Sequence, residues 1–371
     1  MQGRTAVRDL RLTSSVQTGA LHAVPMSAAY AGSALLRYCD RGPNALRCLY
    51  QVLTRRSWRH KNPNNTDRLS VLLLLGIITW PLVMDTEELP LLDALRGLAM
   101  LQQEFLRLAL FVASEGPVSF EGEKLICSLS DGQRRTSTFL AMAAGQSFET
   151  LLRMAKLRGI PVRDAYPVAR SAIESFINAS YLLAESDNVA ARAIRYIDFA
   201  AWRHHNRKFG SGEFSIEVRS DPDPETTLAQ EYPEFSGKGK GSWTNLDVPS
   251  RIRRVGELAG RRSGSRLLAA YGLIYSLSSE IIHGSPFGAS YFYSAHLKGE
   301  ATTEAFRAAT VRHLEEIFIS VLHAGCGYLA AFFGQQNMQA PLNGEEKVFT
   351  RLLELSTKPF FGVPDQCASG N

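Results

Sequence analysis

Two short stretches concentrate polar groups in apolar surroundings. In AYPVARSAIESFINASYLLAE, residues 165–185, Arg170, Glu174 and Asn178 recur every fourth residue, so on a helix they form one line. In YGLIYSLSSEIIHGSP, residues 271–286, Tyr275, Ser279 and His283 repeat the same spacing. Ala169, Ile173, Phe176 and Ile177 mark the apolar side of the first stretch, and Leu273, Leu277, Ile281 and Ile282 that of the second. If the two polar lines face each other, six polar groups converge on one pocket, with Arg170, Glu174 and His283 as its catalytic candidates. His283 would titrate near neutral pH and serve as general acid and base. Arg170 would stabilise charge building on a phosphorane, and Glu174 would orient Arg170 or His283. Asn178, Tyr275 and Ser279 would position a phosphate or base.

Each group also has a structural use. Arg170 before Glu174 is the weaker order for an exposed helical pair, and a buried pair needs further partners to offset desolvation. Ser279 can bond back to the preceding helical turn, and Asn178 can be a satisfied core amide. His283 precedes Gly284 and Pro286, a helix-ending pattern in which the imidazole can bond the last carbonyls.

A second concentration is basic. Arg251, Arg253, Arg254, Arg261, Arg262 and Arg266 lie close together with Glu257 as the one acid among them. Arg251 and Arg254 are the candidates for holding phosphate, against the alternative of a solvated helix face. Arg203, Arg207, Lys208, Lys238 and Lys240 add charge nearby. No phosphate-binding glycine loop, dinucleotide fingerprint, zinc-protease motif or nucleophile elbow occurs. His204 and His205 are adjacent and cannot share a helical face. The five cysteines are scattered, which reads as reduced thiols. Neither a metal nor a cofactor is expected.

The elements that must position these groups are helical. Apolar residues at three- and four-residue spacing predict helices over 87–113, 134–158, 164–185 (capped by Asp164), 188–209, 266–283 and 302–333, with another resuming near Pro249 and a short one after Glu345. Residues 118–129 read as a short hairpin or irregular connection, and 210–243, rich in Gly, Pro and charge, as a mobile loop. The fold class is all-α. Residues 1–65 form a basic, irregular segment with short helices at 28–37 and 45–56. Residues 66–130 are apolar and helical, 131–340 a bundle, and 341–371 a final helix and tail.

The net charge of +5 is concentrated before residue 62, where ten basic residues face Asp9 and Asp40. The apolar run Leu69–Met84 is shorter than the ~18–20 residues a span needs and contains Pro81, so a buried helix is expected there rather than a membrane segment. The expected location is the cytoplasm.

Leu151-Leu152, Gly159, Ala165, Ala169-Arg170-Ser171 and Glu174, followed by Trp243, the arginine-rich helix and Tyr275, Ser279 and His283, resemble the DUF5677 family over about residues 135–335. That family in turn resembles HEPN domains, helical bundles of toxins and phage defence. The resemblance implies a HEPN-like bundle with an additional helical N-terminal region. It implies a metal-independent endoribonuclease, or a non-catalytic module that binds a nucleotide or partner through the same residues. RNA or a nucleotide is the expected ligand, and the apolar helices would pair with a second copy or another protein. Active HEPN ribonucleases carry an Arg and a His separated by four to six residues on one helix. The helix of His283 lacks this pair; Arg55 and His60 have the spacing but lie in the Pro/Asn-punctuated front segment.

Overall fold

In a computed structural model of the chain, the described residues are 91–155, 162–237, 241–289 and 303–356. The expectations for 28–37, 45–56 and 69–84, and the pair Arg55 and His60, lie outside them. In order come α1 (Leu91–Glu115), β1 (Val118–Phe120), β2 (Glu123–Leu125), α2 (Asp131–Met154), a 3-10 turn (Val162–Asp164), α3 (Ala165–Ala184) and α4 (Asp187–His205). Then follow β3 (Asn206–Ser211), β4 (Phe214–Arg219), α5 (Pro224–Glu231), a 3-10 turn (Pro233–Phe235), α6 (Val248–Leu258) and α7 (Arg261–Ala270). A π-turn (Tyr271–Tyr275) leads into α8 (Ser276–Ile282), and α9 (Thr303–Gln335) and α10 (Gln339–Ser356) complete the series. The fold is mostly helical, with two antiparallel two-stranded hairpins among the described residues.

Helix α9 is the axis of the core. Every residue from Ile317 to Phe333 is buried, against α1, α3, α7 and α10. A helix apolar on all sides must be covered on all sides. Its stretch Thr310–Gln335 is long and apolar enough to cross a membrane, yet 94% of its most apolar window is buried within the fold. Close approach is achieved with glycine: a Cβ on Gly325 would sit 2.2 Å from Gln102 Oε1 of α1, and one on Gly327 2.7 Å from Leu267 of α7. Gln102 then donates to Leu322 O at 2.9 Å and to the buried Cys326 thiol at 3.0 Å.

Helix ends follow local chemistry. Ser130 and Gln133 form a reciprocal capping box at the start of α2, satisfying two otherwise orphaned donors. Asp247 accepts from Ser250 N at 2.8 Å, and Pro249 sits in the first turn of α6. Asp164 departs from expectation. It flanks α3 in helical geometry, within the preceding 3-10 turn, and makes no side-chain cap; its carboxylate lies 3.5 Å from Arg163.

The largest departure is 206–243. Helix α4 stops at His205, and β3 and β4 pair in the register Arg207–Val218, Phe209–Ile216 and Ser211–Phe214. Helix α5 and the second 3-10 turn follow, where a mobile loop was expected. The turn residues Gly212 and Glu213 sit between two short alternating runs, a hairpin signal outweighed in the reading by the polar composition.

A buried ion pair anchors α10 to α7. Arg266 Nη1 lies 2.7 and 2.8 Å from the two Glu345 oxygens, and Nη2 2.6 Å from Glu346. The guanidinium stacks 3.7 Å from the Phe349 ring centre, and the Arg266 and Glu345 side chains are 2% and 0% exposed. Losing one partner strands a buried charge. Glu345→Ala or Arg266→Ala is expected to cost about 3–5 kcal/mol in urea unfolding. Replacing the pair together by Leu and Met should cost less than either loss alone.

Candidate functional site

The structure joins part of the α3 line to Tyr275. Arg170 Nη2 donates to Tyr275 Oη at 3.1 Å, Tyr275 Oη donates to Glu174 Oε1 at 3.2 Å, and Arg170 Nε lies 3.7 Å from Glu174 Oε2. The Arg170 guanidinium also lies 4.3 Å from the Tyr275 ring centre, and Tyr271 stacks on Tyr275 at 4.4 Å. The π-turn brings these two rings together, and such turns often occur at functional sites. Burial pushes the Tyr275 phenol above its ordinary pKa; Glu174 adds to the shift and Arg170 opposes it.

One turn further along α3, Asn178 Oδ1 accepts from Arg251 Nη1. Arg251 is 8% exposed and its guanidinium lies 5.6 Å from the Trp243 ring centre. Arg254 pairs with Glu185 at 2.8 Å and Glu257 at 3.0 Å, Arg253 with Glu257, and Arg262 and Arg266 with Glu346. The arginine-rich stretch is therefore largely neutralised by carboxylates within the fold. Arg251 and Arg254 hold α6 against α3.

His283 is not brought to Arg170 and Glu174. Arg163, just before α3, donates to Ile281 O at 3.4 Å, while Tyr275 meets Glu174, so α3 and the π-turn–α8 segment run antiparallel. Eight residues of helix separate Tyr275 from His283, about 12 Å of rise, and this places His283 beyond the N-terminal end of α3. Its ring is exposed, and its backbone N–H closes the last turn on Ser279 O at 3.0 Å. Ser279, half-buried, lies between the two. The lines meet at Tyr275 rather than along their length. The apolar side of the second stretch is shifted as well: Leu273 and Ile282 are 53% and 46% exposed, while Ile274, Ser278 and Ile281 are buried. The wider turn at 271–275 rotates the following residues away from the 3.6-residue expectation.

A second polar cluster begins at Tyr166, one turn before Arg170 on α3. Its hydroxyl lies 2.7 Å from His313 Nδ1 and donates to Glu316 Oε2 at 3.3 Å. Burial raises the pKa of both Glu315 and Glu316; the Tyr166 hydrogen bond and Arg312 counter it at Glu316. Arg307 and His313 lie on α9 with five residues between them. This is the Arg-to-His spacing of active HEPN ribonucleases, a signal present in the sequence itself.

Other features are structural. A shallow groove of about 470 Å³ between α2 and α3, lined by Ala143, Gln146, Ser147, Thr150, Pro167, Val168 and Ser171, holds no titratable group. Among the described residues, no group of three His, Cys, Asp or Glu side chains is placed to hold a metal. Cys127 and Cys326 are free thiols whose pKa burial raises.

Fold and site define a mostly helical protein with two polar clusters on one helix. Residues 140–300 match DUF5677, a family of unknown function, and this stretch is assigned to it. No curated protein and no solved structure matches the chain. The matched stretch contains the Arg170 cluster and His283; His313 lies beyond it.

Tyr275→Phe removes the hydroxyl joining Arg170 to Glu174 and is expected to cost about 1 kcal/mol. Tyr275→Ala, which also removes two stacked contacts, should cost about 3 kcal/mol or more; urea unfolding measures both. Glu315 has a raised folded pKa, so its stabilising contribution is present below the ordinary carboxylate pKa and is lost as pH rises through the folded value. Glu315→Gln should therefore raise the melting temperature at pH 8 and change it little at pH 4.

Proposed function

We propose that this chain is a HEPN-like, metal-independent endoribonuclease of toxin or phage-defence type, acting in the cytoplasm, in which His313 rather than His283 is the acid–base group. The observation that carries this reading is the chain of contacts from His313 through Tyr166 to Glu316, on a helix that also carries Arg307 at the signature spacing. Tyr166 and Glu316 are positioning residues. His313, 5% exposed, takes the proton from a ribose 2′-hydroxyl as that oxygen attacks the adjacent phosphate. It returns that proton to the 5′-oxygen as the bond from phosphorus to that oxygen breaks, giving a 2′,3′-cyclic phosphate and a 5′-hydroxyl. Arg170, one turn or about 6 Å along α3 from Tyr166, supplies further donors toward the substrate.

Incubating the purified protein with RNA in EDTA tests this. Cleavage to cyclic-phosphate ends is expected for wild type and His283→Ala, and loss of cleavage for His313→Asn with unchanged circular dichroism. Intact RNA with wild type would sink the reading. Loss with His283→Ala alone would return the role to that residue.

The stacked Tyr271, Tyr275 and Arg170 favour a second reading, a module that binds a nucleotide without cleaving it, since a guanidinium and aromatic faces suit a base and its phosphate. A nucleotide-dependent rise in melting temperature, abolished by Tyr271→Ala and without RNA cleavage, would support it.

A further inference from the structure

The β3–β4 hairpin exposes a contiguous apolar face. The register places Phe209, Phe214, Ile216 and Val218 on the same side of the two strands, and they are 43%, 90%, 70% and 40% exposed. Together they present on the order of 400 Å² of apolar surface, the scale of a functional patch. Among the described residues the hairpin is a sheet of two strands only, and no described segment pairs with the far edge of β4. Natural edge strands are usually protected by Lys, Pro or a distorted backbone. Strand β3 has Lys208 and Gly210, the latter at φ 83°. Strand β4, Phe-Ser-Ile-Glu-Val-Arg, has no Lys, Pro or Gly.

We infer that the outer edge of β4 pairs antiparallel with β4 of a second copy of this chain, with Ile216 on the two-fold axis. Three observations select that occupant and that register. In the hairpin, residues 214, 216 and 218 direct their backbone groups toward β3, a pattern continued by the bond from Ser220 N to His205 O at 3.1 Å. Ser215, Glu217 and Arg219 therefore direct theirs outward. An axis at Ile216 sets Ser215 opposite Glu217 of the second copy, so outward groups meet outward groups. The same axis sets Phe214 opposite Val218 and Ile216 opposite Ile216, so the apolar faces coincide. It also sets Glu213 opposite Arg219 twice. Arg219 is exposed, and its Nε and Nη2 bond the carbonyls of Asp221 and Pro222 at 3.1 and 3.0 Å, leaving Nη1 for the carboxylate. Moving the axis to Ser215 sets Glu213 against Glu217, and moving it to Glu217 sets that carboxylate against itself. Charge thus excludes the two neighbouring in-face registers. The product is a continuous four-stranded sheet, β3–β4–β4–β3.

The test uses the full chain. Light scattering across a concentration series should give twice the chain mass, and Ile216→Lys or Glu213→Arg should give the single-chain mass with unchanged circular dichroism. Glu213→Arg combined with Arg219→Glu should restore the dimer. Residues directly opposed at such a position have Cα atoms about 4.5 Å apart, within disulfide range. Ile216→Cys, oxidised with copper–phenanthroline, should therefore cross-link to itself, while wild type and Ser215→Cys should not. A wild type that stays monomeric at 100 µM, or a dimer indifferent to Ile216→Lys and Glu213→Arg, would overturn the inference.

Discussion

Helix α9 is buried from Ile317 to Phe333, and the rest of the fold is arranged to cover it. Four other helices lie against it, and glycines at 325 and 327 make room for the Gln102 and Leu267 side chains of two of them against its backbone. Coverage on all sides leaves few places for polar groups. Apart from core residues such as Gln102, Ser320 and His323, they gather where covering helices meet one another or where α9 emerges: Arg266 with Glu345 at one rim, His313 with Tyr166 and Glu316 at another.

Helix α3 runs past these rims. Its buried face packs on α2 and α9, while Tyr166, Arg170, Glu174 and Asn178, each four residues after the last, track across its surface. Because that row drifts around the helix by about 40° per step, successive members meet different neighbours: α9, then the π-turn, then α6. A row that looks like one site in sequence is thus divided among three contacts. The hairpin stands apart from this economy. Its apolar side chains Phe214 and Ile216 are 90% and 70% exposed, unlike the buried side chains of α9 from Ile317 to Phe333.

Much of the architecture was legible in the chain. The periodicity over 87–113, 134–158, 164–185 and 302–333 marked the helices found at 91–115, 131–154, 165–184 and 303–335, because burial of one face or all faces imposes a 3.6-residue pattern that no local turn chemistry can imitate. The spaced residues that resemble DUF5677 fall mostly within the stretch 140–300 that matches it. The β3–β4 hairpin was not legible, because six alternating residues amid Gly, Pro and charge carry less signal than the polar composition around them. The capping role of Asp164 also failed, since a 3-10 turn took its place.

The sequence alone determined which segments are helical and which polar residues share a helical face, since both follow from local geometry along one strand of chain. Only the tertiary structure decided which faces meet. It joined Arg170 and Glu174 to Tyr275 but left His283 about 12 Å of helix away, because antiparallel helices bring together positions set by their packing offset. It set Arg254 against Glu185 and Arg266 against Glu345 and Glu346, carboxylates up to 80 residues distant in the chain. And it placed Tyr166 against His313, a contact that depends on how α3 lies across α9 and that no spacing within either helix encodes.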